Sequence, residues 1–331
     1  MNSIADFLVV LFCVVTVLVA ITFAFEFDRW RIVAWLQTPL PLWIPIAGAG
    51  TVLALLASAY VVAAVLGLAT AIFVFRLVPL LQSTLMHNTR PTAAKLRVAH
   101  GNLLYLNTKY DNTLDALIAV DADVLTLCEV TETWHGKLLE HVGFHSLYPH
   151  RVVSPADLAD GIAVFSKINF ETHSIKPMIT KNAIVATLSH PLGRLQLITP
   201  HPMPPVSRIK IRDWRPSFES IRSSVDPALP TLLIGDLNAA HWHPSFRRLI
   251  TDGFLRHVRN SARGRWAGGL APSWRPHRNA PRIVRLDHAL TSPGLNPIKV
   301  ENFAIPGSDH DGLVVEVVIS EPDTAQLESI R

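Results

Sequence analysis

Hydrophobic residues are concentrated in the first quarter of the chain. Residues 7–25 (FLVVLFCVVTVLVAITFAF) include no charged side chain, and residues 32–75 include none either. A helix needs about 20 predominantly apolar residues to cross the hydrocarbon layer of a bilayer. The first run has this length, and it lacks the basic start and the small-residue cleavage site of a secretory signal peptide. We therefore predict an uncleaved transmembrane helix over about residues 5–25.

The second apolar region, from about residue 42 to residue 81, is too long for one upright span. Its segment 44–75 would measure about 48 Å as a helix, at 1.5 Å per residue. Either one helix is strongly tilted, or two spans meet in a turn near residues 58–60. We favour two spans here, at about 42–60 and 61–81, which makes three in all, although two in all remain possible.

The membrane orientation is set by weak and opposing signals. Trp30, Trp35 and Trp43 have the character of interfacial anchors. With three spans, Arg29 and Arg31 lie on the same face as the basic residues that follow the last span, so the positive-inside rule acts in both directions. We expect a multi-pass protein of the plasma or inner membrane, with its catalytic domain on the extracytoplasmic side.

The pattern changes after residue 82. Residues 83–95 (STLMHNTRPTAAK) have the polarity of a linker, and residues 320–331 form a polar tail. Between them, short β-rich runs alternate with helical segments. We predict strands at 96–98, 124–128, 161–165, 184–187, 195–199, 231–234 and 313–319, and helices at 113–120, 208–225 and 244–251. Nearly continuous apolar strands are typical of sheets that are buried on both faces, so the pattern predicts an α/β or α+β sandwich.

Charge and cysteine content narrow the function only slightly. The chain has 30 Lys and Arg against 26 Asp and Glu, a net charge of +4, and all of its 15 histidines lie at or after His87. This balance suits an anionic substrate but is too small for a surface that coats nucleic acid. Cys13 and Cys128 provide neither a disulfide framework nor a metal-binding spacing.

Polar residues that could act in catalysis follow two of the predicted strands. Glu129 ends the run 124–128, and a carboxylate there can hold a hard cation such as Mg²⁺. Asp236 and Asn238 follow the strand 231–234. An aspartate in this place can orient or accept a water proton, and the asparagine amide can donate to a phosphoryl oxygen. Each of these residues is also common in ordinary turns.

Two Asp-His pairs suggest a histidine that is oriented by a carboxylate. Asp287 precedes His288, and Asp309 precedes His310. A carboxylate on one ring nitrogen fixes the tautomer and raises the basicity of the other nitrogen. His201 lies in a proline-rich segment that would hold it rigidly. Asn102, after the first strand, could donate to phosphate or orient a metal ligand. Taken singly, each of these residues could equally be an ordinary loop or core residue.

In their order along the chain, these segments resemble the endonuclease/exonuclease/phosphatase superfamily. The motifs that carry the resemblance are LRVAHGN (96–102), DVLTLCEV (123–130), GIAVFSK (161–167), TPHPMPP (199–205), LLIGDLN (232–238), RLDHAL (285–290) and GSDH (307–310). Gly101 stands where the family has Trp or Phe, GDLN replaces the commoner GDFN, and the proline often found after the last histidine is missing. The hydrophobic N-terminus and the segment NAAHWHPSFRRL (238–249) look like the bacterial membrane-anchored branch.

The resemblance covers about residues 96–319 and implies a fold and a set of roles. The fold would be a four-layer sandwich of two packed β-sheets flanked by helices. Mg²⁺ or Mn²⁺ would be held by Glu129, Asn102 and Asp309. The catalytic set would be His201, Asp236, Asn238, Asp287 and His310, and the substrate phosphate would contact Asn102, His201 and Asn238. Whether His310 or Asp236 is the general base stays open, and His241, His243 and His288 are expected outside the reacting centre.

Three functions fit these expectations. The leading one is divalent-metal-dependent hydrolysis of a phosphodiester or phosphoanhydride bond in a membrane-associated or lipid-linked phosphate, with the lipid bilayer as partner. The alternative is a DNA or RNA nuclease, in which the basic segment 261–282, with Trp266 and Trp274, would track a phosphate backbone rather than form a loop at the rim. The third is a membrane scaffold without catalytic activity. The sequence indicates no protein partner.

Overall fold

The computed structural model describes residues 4–81, 95–191, 193–250, 254–258, 271–277 and 279–319. Most of the predicted linker, the whole predicted tail and residues 261–270 of the basic segment, with Trp266, lie outside these ranges. The structural statements below concern the described residues alone.

The N-terminal region folds into four helices. They are α1 (Ile4–Ala24), α2 (Arg31–Gln37), α3 (Leu40–Leu56) and α4 (Tyr60–Leu81). Within the described residues, Phe7–Ala24 and Tyr60–Leu77 are long and apolar enough to cross a membrane. Helices α2 and α3 are bent by 73° at their break, so the pair counts as a third span only if it is one broken span. The break between α3 and α4 includes Ser58, with a φ of 57°, where the sequence predicts a turn.

The C-terminal part contains two six-stranded sheets. The first sheet, in spatial order, is β11 (Leu295–Ala304), β12 (Asp311–Ile319), β1 (Leu96–Asn102), β2 (Val124–Cys128), β4 (Ile162–Ser166) and β3 (His150–Ser154). The second is β5 (Phe170–Pro177), β6 (Asn182–His190), β7 (Gly193–Pro200), β8 (Thr231–Asp236), β10 (Asp287–Thr291) and β9 (Arg256–His257). The pairs β1–β2 and β7–β8 are parallel, and the remaining pairs are antiparallel.

The two sheets pack face to face and each is covered by helices. The core between them joins Val98, Val124 and Val315 of the first sheet to Leu197 and Ile234 of the second. On the outside of the first sheet lie α5 (Tyr110–Ala119), α6 (Glu132–Glu140) and α7 (Val142–Leu147), and on the outside of the second lie α8 (Lys210–Ser223) and α9 (Pro244–Arg247). The expected four-layer sandwich is confirmed. The strands that the sequence did not predict, β3, β5, β9, β10 and β11, are mostly short, exposed or rich in polar residues.

The N-terminal helices pack directly against the two-sheet sandwich. The indole Nε1 of Trp242 donates to the carbonyl of Gln37 at 2.8 Å, and His243 Nε2 lies 3.0 Å from the carbonyl of Ala34. The backbone N–H of Ser245 donates to the buried carboxylate of Asp28 at 2.7 Å. These contacts join α2 and its flanks to the segment that follows β8. The sandwich therefore packs against residues 28–37, between helices α1 and α3.

Gly161, the residue before β4, provides a test of the packing where that strand begins. A Cβ on Gly161 would overlap the backbone carbonyl of Val130 and the backbone of Ala156. Because neither can move without disturbing β2, we expect Gly161→Ala to lower the free energy of unfolding by about 2 kcal/mol or more. Gly136 in α6 is the matched control, since a Cβ there meets nothing within 4 Å. Gly136→Ala should stabilise by about 0.5–1 kcal/mol. Denaturant melts of the full chain in detergent measure both, and equal effects would contradict the packing described.

Candidate active site at the strand ends

Polar side chains from both sheets meet at one edge of the sandwich. Asn102 is the last residue of β1, and Glu129 follows β2, which runs parallel to it. Asp236 is the last residue of β8 and pairs in register with Asp287, the first residue of β10. The parallel pair of one sheet and the antiparallel pair of the other therefore place these four side chains at the same edge.

The amide of Asn102 joins the two sheets. Its Nδ2 donates to Glu129 Oε1 and to Asp236 Oδ2, each at 3.0 Å, and its Oδ1 accepts from the N–H of Leu104 at 2.9 Å. Glu129 has a φ of 60°, and its Oε2 accepts from the N–H of Tyr105 at 2.9 Å. Asn102 is fully buried, whereas Glu129 is partly exposed, so the Glu129 carboxylate forms the mouth of the site.

Two imidazole rings face the inner oxygen of Asp236. His201 Nε2 lies 3.6 Å from Asp236 Oδ2, and His310 Nε2 lies 3.7 Å from the same atom. All three residues are buried. His201 follows β7 and His310 precedes β12, so one ring comes from each sheet. The Asp236 carboxylate lies between them.

His310 is also held from behind by Asp287. Asp287 Oδ2 accepts from His310 Nδ1 at 2.8 Å, which leaves Nε2 facing Asp236. The other oxygen of Asp287 lies 3.5 Å from His100 Nε2, and His100 Nδ1 lies 2.9 Å from the hydroxyl of Thr126. A chain of polar groups therefore runs from the site into the core of the first sheet.

The electrostatics of these polar groups favour a buried ion pair between Asp287 and His310. Burial alone would lower the pKa of His310, but the charges of Asp287 and Asp236 and the hydrogen bond to Asp287 outweigh it and raise that pKa to about 10. Burial would likewise raise the pKa of Asp287, but the charge of His310 and hydrogen bonds from His100 and His310 hold it well below its usual value. Each partner therefore stabilises the charged form of the other.

The pKa shifts of Asp236 and His201 favour their neutral forms, in contrast to those of Asp287 and His310. Burial, together with the charge of Asp287, raises the pKa of Asp236 to about 6 against the opposing effect of His310. Burial and the nearby charges of Lys181, His100 and His310 hold the pKa of His201 well below its usual value. His201 is thus neutral at neutral pH, whereas His310 is charged, so the two rings that face Asp236 differ in charge.

The remaining two predicted residues lie at the rim. Asn238 has a φ of 49°, its backbone N–H donates to Asp236 Oδ1 at 2.9 Å, and its Nδ2 donates to the carbonyl of Pro202 at 3.0 Å. The carboxylate of Asp309 accepts from the indole of Trp274 at 3.0 Å. Among the hydrogen bonds of the described residues, the Asp309 side chain has none to the other predicted site residues.

Four residues of the site were not found from the sequence. His100 lies behind Asp287, and Lys181 Nζ lies 3.3 Å from His201 Nδ1. Ser308 Oγ donates to the carbonyl of Asn102 at 2.8 Å and accepts from the N–H of His310 at 3.0 Å. Trp274 fixes Asp309. His100 and Ser308 belong to quoted motifs, but Lys181 is brought in from β6 by tertiary packing alone, and no local pattern marks it.

The donor set fits a hard divalent cation. Asp236, Asp287 and His310 have ligand atoms within 4.8 Å of one another, and the partly exposed carboxylate of Glu129 is joined to Asp236 by Asn102. Carboxylate oxygens near a water-accessible mouth are what Mg²⁺ or Mn²⁺ requires, because these ions keep several waters. The residues present therefore fit the divalent cation that the resemblance implies.

Comparison with known proteins gives the same fold. The model of the Endonuclease/Exonuclease/phosphatase family matches residues 98–310. An endonuclease/exonuclease/phosphatase from Beutenbergia cavernae superposes with a TM-score of 0.56 at 18% identity, over 70% of this chain and 73% of that one. No protein of curated function matches the sequence significantly.

Two further solved structures illustrate the range of substrates on this fold. TDP2 from D. rerio, complexed with a single-strand DNA product, has a TM-score of 0.53 at 14% identity, over 68% of this chain and 99% of that one. A mannosyl-6-phosphatase from Bacteroides thetaiotaomicron has a TM-score of 0.53 at 17% identity, over 68% and 100%. At these identities the likeness shows the fold alone.

Ser308 tests the hydrogen bonds that hold the start of β12 to the end of β1 at the site. Ser308→Ala removes a buried hydroxyl and leaves the carbonyl of Asn102 and the N–H of His310 without it. We expect a loss of about 1–3 kcal/mol in the free energy of unfolding. Ser223→Ala is the control, since that hydroxyl is exposed and bonds only within α8. Denaturant melts compare the two, and a neutral Ser308→Ala would contradict the network described.

Proposed function

The chain belongs to the endonuclease/exonuclease/phosphatase family, and we propose that it is a membrane-anchored, divalent-cation-dependent hydrolase of phosphodiester or phosphoanhydride bonds. Members of this family are hydrolytic phosphoesterases. The observation that carries the proposal is the continuous network Glu129–Asn102–Asp236–His310–Asp287, in which neighbouring side-chain atoms lie between 2.8 and 3.7 Å apart.

Each side chain has a role that follows from its surroundings. Glu129, with Asn102 and Asp309, would hold Mg²⁺ or Mn²⁺, which when bound offsets the charge that builds on the phosphoryl group. Asp236 and His310 would align the attacking water. Asp236, ionised above its pKa of about 6, would accept the proton, because His310 already carries its proton in the pair with Asp287. Asp287 keeps His310 in one orientation, because its carboxylate accepts the Nδ1 proton.

The phosphate itself would be held by neutral donors. Asn238 would supply an amide N–H group, and His201 a ring whose neutral form is favoured by burial and by the charge of Lys181. Asn102 would contact the phosphate only by giving up one of its bonds to Glu129 and Asp236. Such donors stabilise the crowded, five-coordinate phosphorus without neutralising the attacking water. His201 Nε2, 3.6 Å from Asp236, would donate a hydrogen bond to the leaving oxygen.

Loss of Glu129 or His310 should abolish turnover. We expect Glu129→Gln and His310→Ala each to lower kcat on a nitrophenyl phosphodiester by about 100-fold or more, since both remove a group that acts on the reacting phosphate. Glu132→Gln is the matched control, because that exposed carboxylate on α6 lies outside the network. Rates are measured with Mg²⁺, with Mn²⁺ and after chelation. A wild-type chain inert under all three conditions would favour the scaffold hypothesis instead.

The exterior beside the site favours a substrate at a membrane surface. The proline-rich segment that starts at His201 continues into Val206 and Ile209, which are 42% and 77% exposed. Arg31 Nη1 lies 3.5 Å from the carbonyl of Val206, so this segment adjoins α2. Trp30 and Trp35, at the start and inside α2, are 65% and 57% exposed. We call the exposed apolar residues Val206 and Ile209 the apolar lip. An exposed apolar surface next to apolar helices of membrane-spanning length is typical of a surface that enters the headgroup layer.

The charge around this lip suits anionic lipid. The exposed basic residues that surround it are Arg29, Arg31, Arg208, Lys210 and Arg212. Basic residues near a bilayer contribute about 1 kcal/mol each to the attraction for anionic headgroups. We therefore propose that the substrate is a lipid-linked phosphate or pyrophosphate whose headgroup passes the lip to reach Glu129.

A nuclease is the second candidate, and the likeness to TDP2 with a single-strand DNA product is the observation that favours it. The basic segment that would track DNA is only partly described. Trp274, the described tryptophan of that segment, is half-buried against the apolar cluster that includes Trp242 and Val284, so its ring is not displayed as an exposed stacking platform. The lipid-linked substrate is therefore the stronger proposal.

Vesicle assays separate these candidates. Removing the apolar lip with Val206→Ser and Ile209→Ser together should slow hydrolysis of a lipid phosphate in anionic vesicles by about 10-fold, because about 1.4 kcal/mol of membrane contact is lost. Hydrolysis of the soluble nitrophenyl phosphodiester should not change. Ile175→Ser, on exposed strand β5, is the control. Turnover of single-stranded DNA that exceeds that of every lipid phosphate by orders of magnitude would overturn the lipid proposal.

A further inference from the structure

A second cluster of chemically active side chains lies behind the catalytic strand ends. His241 lies in the loop after β8, His257 ends β9, and His288 is the second residue of β10. All three are buried, with exposed fractions of 2%, 5% and 0%. Each offers a ring nitrogen, and these three atoms lie within 4.8 Å of one another. The proposed reaction uses none of them.

The orientation of His288 prepares one of its nitrogens to act as a ligand. His288 Nε2 lies 2.7 Å from the carbonyl oxygen of Ala239. Because a carbonyl can only accept, Nε2 must carry the proton, and the lone pair of the neutral ring is then on Nδ1. That Nδ1 lies 3.1 Å from His257 Nε2. A ring N–H anchored on a backbone carbonyl is the usual support of a metal-binding histidine.

The protein encloses these rings. His288 is fully buried, and its Nε2 proton is held by the carbonyl of Ala239, which leaves Nδ1 as the ligand atom. Phe246 closes one side of the cluster, with its ring 4.6 Å from His288 and 5.8 Å from His241.

We propose that His241, His257 and His288 form a buried site for a borderline transition-metal ion such as Zn²⁺, separate from the oxygen-lined catalytic centre. Imidazole nitrogens select Zn²⁺, Cu²⁺ or Ni²⁺ over Mg²⁺. Zn–N bonds of 2.0–2.1 Å in a tetrahedral site place ligand nitrogens about 3.4 Å apart. The 3.1 Å between His257 and His288 matches this value, and His241 needs to move inward by at most about 1.4 Å from the 4.8 Å limit.

The ion would fasten three segments that carry catalytic residues. His241 follows Asp236 and Asn238 along the chain, and His288 is next to Asp287. Strand β9, which contributes His257, lies at the edge of the second sheet and pairs with β10 over only two residues. A bound ion would tie this short edge strand to the loop after β8. Three protein ligands leave a fourth position for water, and an ion here would act by holding these segments together, independently of the proposed function.

Cobalt titration of the full chain in detergent tests the site. Co²⁺ bound by nitrogen in a tetrahedral site absorbs far more strongly in visible light than Co²⁺ in an octahedral oxygen site. We expect one equivalent of strongly absorbing Co²⁺, displaced by Zn²⁺ but not by excess Mg²⁺, and a rise of several degrees in the melting temperature with Zn²⁺. His257→Phe, which keeps an aromatic ring, should lose both signals. His257→Cys, which restores a ligand, should regain the absorption.

Two further variants make the result decisive. Glu129→Gln alters the catalytic centre only and should keep the full cobalt signal. His241→Phe should lose it as His257→Phe does, and circular dichroism confirms that both variants are folded. Wild-type protein that gives no strong absorption, or a signal that survives in both folded phenylalanine variants, would overturn the proposal. The cluster would then be a set of stacked, hydrogen-bonded histidines.

Discussion

The amide of Asn102 is the contact on which the active site depends. It is fully buried, and its two N–H groups reach a carboxylate from each sheet, Glu129 and Asp236, at 3.0 Å. A one-residue shift of β1 would turn Asn102 to the opposite face and break both bonds, because side chains alternate along a strand. The register of the first sheet, fixed by the core between the sheets, therefore sets the distance between the carboxylates of Glu129 and Asp236.

The second constraint is a costly buried charge pair. Ionised groups lose several kcal/mol of hydration when they are buried, and a pair of them is worth keeping only where the geometry is good and further hydrogen bonds are made. Asp287 and His310 satisfy this condition at 2.8 Å, with His100 behind the carboxylate and Ser308 holding the backbone of His310. Such an arrangement contributes little to stability but fixes the direction of His310 Nε2, which is what a reaction at phosphorus needs.

The sequence predicted the parts of this site that follow from local pattern. Apolar runs that end near Glu129 and Asp236 place these residues at strand ends, and the family resemblance implies the four-layer sandwich. Lys181 escaped because it reaches the site only through tertiary packing, from the residue before β6. His100 lies inside a quoted motif, but its contact with Asp287 depends on the other sheet. His257 could not be linked with His241 and His288, since strand β9 has only two residues and no periodicity. The contact of Trp242 and His243 with α2 is likewise invisible in either segment alone.

The central claim is that Glu129, Asn102, Asp236, His310 and Asp287 surround one reacting centre. Diffraction from crystals of the full chain grown with Mn²⁺ tests it most directly, because the anomalous signal locates the ion without reference to any mechanism. The account predicts a peak in direct coordination with the Glu129 carboxylate, with His310 across the same cavity. A saturated crystal in which the ion lies elsewhere and Glu129 binds none would contradict it.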